Sequence, residues 1–105
     1  MIIKEYIDQT GRSSFAKWFS ELNHFAAAKV TTALYKLEQN NISNVKSVGK
    51  GVWEYKIDFG PGYRIYFGKE GETLIILLGG GSKKRQDRDI IFAHASWIEY
   101  KQRKE

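Results

Sequence analysis

Residues 49–67, GKGVWEYKIDFGPGYRIYF, decide the fold class that we predict for this chain. Bulky apolar residues alternate with polar ones on both sides of Gly60-Pro61-Gly62, a pattern typical of two antiparallel strands joined by a turn. One face of the predicted hairpin is apolar and carries Trp53, Tyr55, Ile57, Phe59, Tyr63, Ile65 and Phe67. We expect the other face to meet solvent or substrate, and it carries Glu54, Lys56, Asp58, Arg64 and Tyr66.

The length of the connecting loop decides whether these polar side chains lie together. Directly opposed residues of an antiparallel hairpin point to the same side of the sheet. The two apolar sets therefore share a face only if the loop has an odd number of residues, because a slip of one residue turns Arg64 inward. In that register a carboxylate, an amine, a guanidinium and a phenol are neighbours. A solvated sheet face often carries the same mixture, so the pattern alone leaves both interpretations open.

The elements on either side follow from the spacing of apolar residues. Residues 2–7 indicate a first strand, and Ser13 or Ser14 is suited to cap the first of two helices. The apolar faces of these helices carry Phe15, Trp18, Phe19 and Leu22, and then Ala26, Val30, Ala33, Leu34 and Leu37. A polar loop over residues 40–50 leads into the hairpin. Residues 73–78 indicate a central strand that ends at Gly79-Gly80-Gly81, and a last helix begins between residues 82 and 87.

This order, β-α-α-β-β-β-α, predicts a single α+β domain over residues 1–105. We expect a small, twisted antiparallel sheet, flanked by an N-terminal helical hairpin and a C-terminal helix. A chain of 105 residues, 42% of them hydrophobic, is long enough to bury a core of its own.

Composition excludes several classes of protein. The chain has no cysteine, and its two histidines, His24 and His94, lack metal-ligand spacing, so we predict neither a metal site nor a cofactor. Because it lacks a long apolar run and a signal-peptide pattern, we expect a cytoplasmic protein with no membrane partner. A net charge of +5 fits a polyanionic partner, although a merely soluble basic protein has the same charge.

The polar face of the hairpin suits the cleavage of RNA. In that reaction a 2′-hydroxyl loses a proton and attacks the adjacent phosphate, so negative charge builds on the phosphoryl oxygens. The candidate catalytic residues are Arg64 as a phosphate clamp, Lys56 as a second charge, Glu54 as a general base and Tyr66 as an orienting group. No metal is required for this chemistry.

A second group of basic residues follows the triglycine segment. Lysines and arginines in the first turn of a helix oppose the helix dipole, so helix stability does not explain them and an anionic ligand is favoured. With two lysines near the hairpin, they form a candidate RNA-binding set of Lys46, Lys50, Lys83, Lys84, Arg85 and Arg88.

Three segments also resemble a known family. The hairpin at residues 49–67, the stretch LLGGGSKKRQDRDI at residues 77–90 and the opening Phe15-x-x-Trp18-Phe19-x-x-Leu22 are similar to the phage Gp49-like, or addiction module killer protein, branch of the RelE/HigB toxins. The resemblance covers nearly the whole chain.

The resemblance implies a type II toxin that inhibits translation by cutting mRNA on the ribosome, in an endoribonuclease reaction. It implies a helix-turn-helix antitoxin as partner, with operator DNA bound only through that antitoxin. It also implies that Arg64 holds the scissile phosphate, and that Lys56, Lys83 and Lys84 match basic residues of the superfamily.

The sequence departs from many relatives at two positions. Asp58 stands where they carry a second basic residue, and Ile90 lies near a position where they place a functional tyrosine or histidine. The acid and base are therefore open among Glu54, Tyr66 and Asp89. Two rival functions also remain open: a non-catalytic module that binds RNA or the antitoxin, and a toxin directed at another target such as DNA gyrase.

Overall fold

The structure, a computed structural model, describes residues 1–104. The strands are β1 (Ile2–Glu5), β2 (Val45–Ser47), β3 (Val52–Ile57), β4 (Tyr63–Glu70) and β5 (Leu74–Ser82). The helices are α1 (Ser14–Ser20), α2 (His24–Glu38) and α3 (Gln86–Lys104), and a 3₁₀ turn, Lys83–Arg85, leads into α3. None of the helices in residues 1–104 is long and apolar enough to cross a membrane.

The five strands form one sheet in the order β1-β5-β4-β3-β2. The α+β class, two consecutive N-terminal helices and the C-terminal helix are confirmed, and α1 packs on β5 while α2 packs on β3 and β1. The sheet is mixed rather than wholly antiparallel, because β1 runs parallel to β5 and pairs with it from Ile2↔Leu74 to Glu5↔Leu77. The short strand β2 lies within the predicted polar loop, where it pairs with β3 at the opposite edge of the sheet.

Side-chain caps fix the starts of the two N-terminal helices. The Ser13 hydroxyl accepts a hydrogen bond from the amide of Ala16 at 3.0 Å, which confirms one of the two predicted caps. The Asn23 side chain accepts from the amide of Ala26 at 2.9 Å and begins α2. Each cap satisfies an amide that the helix leaves without an internal partner.

Helices cover both faces of the sheet and create two cores. On one face, α1 and α2 bury the apolar side of the hairpin, including Tyr55, Ile57, Ile65 and Phe67. On the other face, α3 packs Ala93 and Trp97 over Val52, Tyr66, Ile76 and Leu78. α3 therefore covers Glu54, Arg64 and Tyr66 on the polar face of the hairpin, whereas Lys56 and Asp58 stay exposed. The expectation that this face meets solvent was wrong for the three covered residues, because α3 buries Ala93 and Trp97 on the same side of the sheet.

The triglycine segment belongs to β5 and does not end it, contrary to our expectation. A Cβ on Gly80 would lie 2.2 Å from the ring of Trp18, and a Cβ on Gly81 would lie 1.9 Å from the Asp89 carboxylate. Glycine is therefore required where α1 and α3 press a side chain directly onto the strand.

We expect Gly80→Ala to lower the free energy of unfolding by about 1–3 kcal/mol, because the new methyl group overlaps Trp18 and forces it to move. Gly79→Ala is the matched control, since a Cβ at Gly79 meets nothing within 4 Å. Urea unfolding of the two variants measures the difference. Equal stability of both variants would contradict the close packing of Trp18 on β5.

Candidate active site

The register of the hairpin brings the predicted site residues together. Glu54 pairs with Tyr66 and Lys56 pairs with Arg64, so all four side chains lie on the same face. Residues 58–62 form the loop between Ile57 and Tyr63, which is an odd number of residues, as the pattern required. The predicted gathering of these side chains is confirmed, whereas their chemical roles stay predictions.

Three of these four residues are buried beneath the start of α3. Glu54 and Tyr66 are each 1% exposed and Arg64 is 5% exposed, while Lys56 is exposed. Gln86, the first residue of α3, donates a hydrogen bond from Nε2 to Glu54 Oε2 at 2.9 Å. Arg64 was expected to face solvent or substrate, but the 3₁₀ turn and α3 cover it.

Glu54 is the centre of the charged cluster. Its Oε2 lies 3.6 Å from Arg64 Nε, and its Oε1 lies 3.8 Å from Lys46 Nζ on β2. Arg64 also donates from Nη1 to the carbonyl of Gly62 at 3.4 Å. One buried carboxylate thus faces two cations, which offsets part of the cost of removing it from water.

Hydrogen-bonding capacity remains unused around this cluster. Within residues 1–104, four buried side-chain atoms make no hydrogen bond, namely Glu54 Oε1, Arg64 Nε, Tyr66 Oη and Asp89 Oδ2. Folded proteins pair nearly all such atoms, because an unpaired buried donor or acceptor costs about 1–3 kcal/mol. Four such atoms close together mark this cluster as a candidate functional site.

Burial also perturbs the acidity of two of these groups. Desolvation raises the pKa of Tyr66 far above its usual value, and the nearby Glu54 and Asp89 carboxylates raise it further. The phenol therefore keeps its proton and can donate it in a hydrogen bond. Desolvation also raises the pKa of Asp89, against the opposing charges of Arg85 and Arg88.

Asp89 joins the cluster through the first turn of α3. It was one of the alternatives for the acid or base, and its carboxylate lies over Gly81, the residue paired with Arg64. Gln86 is a contact that sequence reasoning missed, because only the docking of α3 places it beside Glu54. No three histidine or carboxylate side chains in residues 1–104 are grouped closely enough to hold a metal ion.

Most of the predicted RNA-binding residues surround this cluster. Lys83, Lys84, Arg85 and Arg88 are exposed and line a surface cavity of about 370 Å³. Lys46 and Lys56 line a second cavity, of about 460 Å³, beside β2. Lys50 lies apart in the turn between β2 and β3, whose glycines contact His94 and Trp97 in the middle of α3. We call the first four residues, with Lys46 and Lys56, the basic rim.

Comparisons with known proteins show the family to which this chain belongs. Residues 17–92 match the family model described as phage-derived protein Gp49-like, a family of the RelE and addiction module killer type. The chain is also 41% identical over 78 residues to an uncharacterized protein of Haemophilus influenzae. The matched segment covers 73% of this chain and 79% of that protein.

We expect Arg64→Met to lower the free energy of unfolding by about 3–5 kcal/mol, because it leaves the Glu54 charge buried with only the exposed Lys46 nearby. Arg64 therefore stabilises the fold in addition to any role in the candidate site. Combining Arg64→Met with Glu54→Leu removes both charges and restores most of the loss. Urea unfolding of the single and double variants measures it.

The control is Lys46→Met, which we expect to cost at most about 1 kcal/mol because the Lys46 side chain is 66% exposed. The prediction fails if the variant that combines Arg64→Met with Glu54→Leu loses as much stability as the two single variants added together. That result would show that Glu54 and Arg64 do not stabilise each other.

Proposed function

Because the chain belongs to the Gp49-like family of phage-derived proteins, we propose that it is the toxin of a type II toxin–antitoxin system. We further propose that it is an endoribonuclease, which cuts mRNA on the ribosome in the cytoplasm and so inhibits translation. The observation that carries this proposal is the buried cluster of Glu54, Arg64, Tyr66 and Asp89, with its unused hydrogen bonds, beneath the exposed basic rim.

The basic rim is proposed to hold the RNA backbone. Lys83, Lys84 and Arg85 form the 3₁₀ turn and Arg88 lies in the first turn of α3, and all four line one surface cavity. Clustered cations of this kind bind phosphates with little regard to sequence. Lys56 is proposed to add a point charge beside the scissile phosphate.

Arg64 is proposed to clamp that phosphate after exchanging partners. In the structure its guanidinium faces Glu54, and the pair is separated by 3.6 Å without a hydrogen bond. A phosphate offers Arg64 two oxygens in a planar fork and is thus a stronger partner than this distant carboxylate. Exchange would release Glu54 to accept the proton of the 2′-hydroxyl as the 2′-oxygen bonds to phosphorus, while the Tyr66 phenol donates a hydrogen bond to the developing charge. The bond from phosphorus to the 5′-oxygen breaks, and the departing 5′-oxygen takes a proton from water.

The proposed protein partner is a helix-turn-helix antitoxin, through which alone the toxin would be linked to operator DNA. We propose that an acidic segment of this antitoxin docks on the basic rim, because opposite charges favour association there. An antitoxin bound only to the outer faces of α1 and α2 would exclude this docking mode.

One observation favours a second function. Arg64 is 5% exposed and Gln86 closes the cluster from above, so a phosphate reaches the clamp only if this contact opens. If it never opens, the chain is a non-catalytic module that binds RNA or the antitoxin through its basic rim.

The test is induced expression of the chain without its neighbouring gene, with mapping of mRNA 5′ ends. We expect growth arrest and new, translation-dependent ends. The combined Lys83→Ala and Lys84→Ala change should reduce the ends by about tenfold or more, because a hydrogen bond to a charged group contributes about 1.5–3 kcal/mol. The control is Lys4→Ala, which removes an exposed lysine from β1, at the edge of the sheet opposite β2.

Three other results would contradict the proposal. Arrest without new ends would indicate a different target, such as DNA gyrase. Absence of arrest from a folded, expressed chain would favour the binding module. Unchanged cleavage by the lysine variant would remove the basic rim from the RNA path.

A further inference from the structure

A cavity of about 280 Å³ opens beside the buried cluster, between α1, β5 and the first turns of α3. We call it the Tyr66 cavity, after the residue at its floor. Tyr66, Gly79 and Gly80 line it on the sheet, Lys17 lines it on α1, and Asp89 and Phe92 line it on α3. It has room for much more than one water molecule, whose share of the liquid is about 30 Å³.

Two of the residues that line this cavity each carry a buried polar atom that makes no well-formed hydrogen bond within residues 1–104. Tyr66 is 1% exposed, and its hydroxyl lies beside the Glu54 carboxylate. The second atom is Asp89 Oδ2. Both atoms are closed to solvent, so a ligand reaches them only when the first turn of α3 shifts outward, and it must then accept one hydrogen bond from a phenol and donate one to a carboxylate.

Glycines line the cavity on the side of the sheet, and an aromatic side chain lines it on the side of α3. A Cβ at Gly79 would meet nothing within 4 Å, so glycine leaves open space that a larger residue would fill. Phe92 also lines the cavity and is 53% exposed, whereas Ala93 and Trp97 of the same helix are buried against the sheet. A cavity with glycines on one wall and an exposed aromatic ring on another has room for a planar ring that stacks on the phenyl face.

The positive charges at the mouth of the cavity favour a planar ring that carries a phosphate. Lys17 and Arg85 line the cavity and are exposed, and neither forms an ion pair in residues 1–104. Two free cations next to an aromatic ring attract a phosphate attached to the planar group. A bare phosphate fits poorly further in, because the Asp89 carboxylate repels it.

We propose that the Tyr66 cavity binds one nucleobase that carries an exocyclic amine, adenine, cytosine or guanine, as part of an RNA strand. The amine donates to Asp89 Oδ2, a ring nitrogen or carbonyl accepts from the Tyr66 hydroxyl, and the attached phosphate lies between Lys17 and Arg85. Uracil lacks an exocyclic amine and is excluded. The inference rests on the proposed action on RNA and assigns the base recognition that accompanies it.

A cationic side chain of a protein partner is the competing occupant, since arginine also donates to carboxylates. The cations at the mouth oppose it: Lys17 and Arg85 line the cavity, and Arg88 lies on the same turn of α3 as Asp89. The same charges attract a nucleotide. We therefore choose RNA, and the test below distinguishes the two.

The experiment titrates the purified full-length chain with AMP, CMP, GMP, UMP and ribose 5-phosphate, with NMR detection at the amides of Gly79 and Gly80. We expect at least one amine-bearing nucleotide to bind about fivefold or more tightly than UMP, the lower end of what a good base-edge contact contributes. Ribose 5-phosphate should bind more weakly still.

Three variants locate the binding. Gly79→Val places a branched side chain where a Cβ meets nothing within 4 Å and should abolish binding, whereas Asp89→Asn should reduce the preference over UMP. Phe92→Ala should weaken all nucleotides, and Ile91→Ala is its matched control, because Ile91 is an exposed apolar neighbour that does not line the cavity. Thermal unfolding of each variant checks that the fold is retained.

The outcomes separate this inference from the proposed function, because the titration needs neither ribosome nor cleavage. Equal binding of UMP, or of ribose 5-phosphate, overturns base recognition even if mRNA is cut in cells. Discriminating binding without any cleavage supports the cavity and counts against the nuclease. If the Gly79→Val variant still binds nucleotides but no longer binds the antitoxin, the cavity belongs to the protein partner instead.

Discussion

Burial of the Glu54 carboxylate against Arg64 is the interaction on which the rest of the structure depends. A charge that is 1% exposed needs partners, and they come from three separate parts of the chain: Arg64 on the neighbouring strand, Lys46 on the edge strand and Gln86 at the start of α3. The pair therefore links the register of the sheet to the position of the last helix. A shift in the pairing of β3 with β4 would leave the Glu54 charge buried without Arg64, and a shift of α3 would remove Gln86 from it. A buried charge without its partner is strongly destabilising.

The last helix is fixed at its far end by a second set of polar contacts. Tyr6, which follows β1, donates to Glu99 at 2.6 Å, and Tyr100 and Lys104 both bond to Glu70 at the end of β4. Between the two ends, Trp97 packs so closely on β4 that a Cβ at Gly68 would lie 2.4 Å from its ring. These contacts make α3 a cover for the sheet. The same helix brings Asp89 and the basic rim to the buried cluster.

The proposed function competes with stability where α3 covers the sheet. A helix that buries Trp97 and satisfies Glu54 stabilises the fold, yet it also separates Arg64 from any phosphate in solution. Covering the cluster with α3 leaves polar atoms of Arg64, Tyr66 and Asp89 buried without hydrogen-bond partners. They cost stability in the free protein, and a ligand that satisfies them recovers that cost on binding.

The sequence by itself determined the class of the fold, the hairpin at residues 49–67 and the face shared by Glu54, Lys56, Arg64 and Tyr66. These features follow from alternation and helical spacing, which are local and therefore visible in one chain. Only the tertiary structure decided that β1 joins β5 in parallel, that Gly80 and Gly81 lie within a strand, and that α3 covers the polar face. The physical reason is that each depends on contacts between residues far apart in the chain. A charged strand face has the same pattern whether water or a helix lies above it.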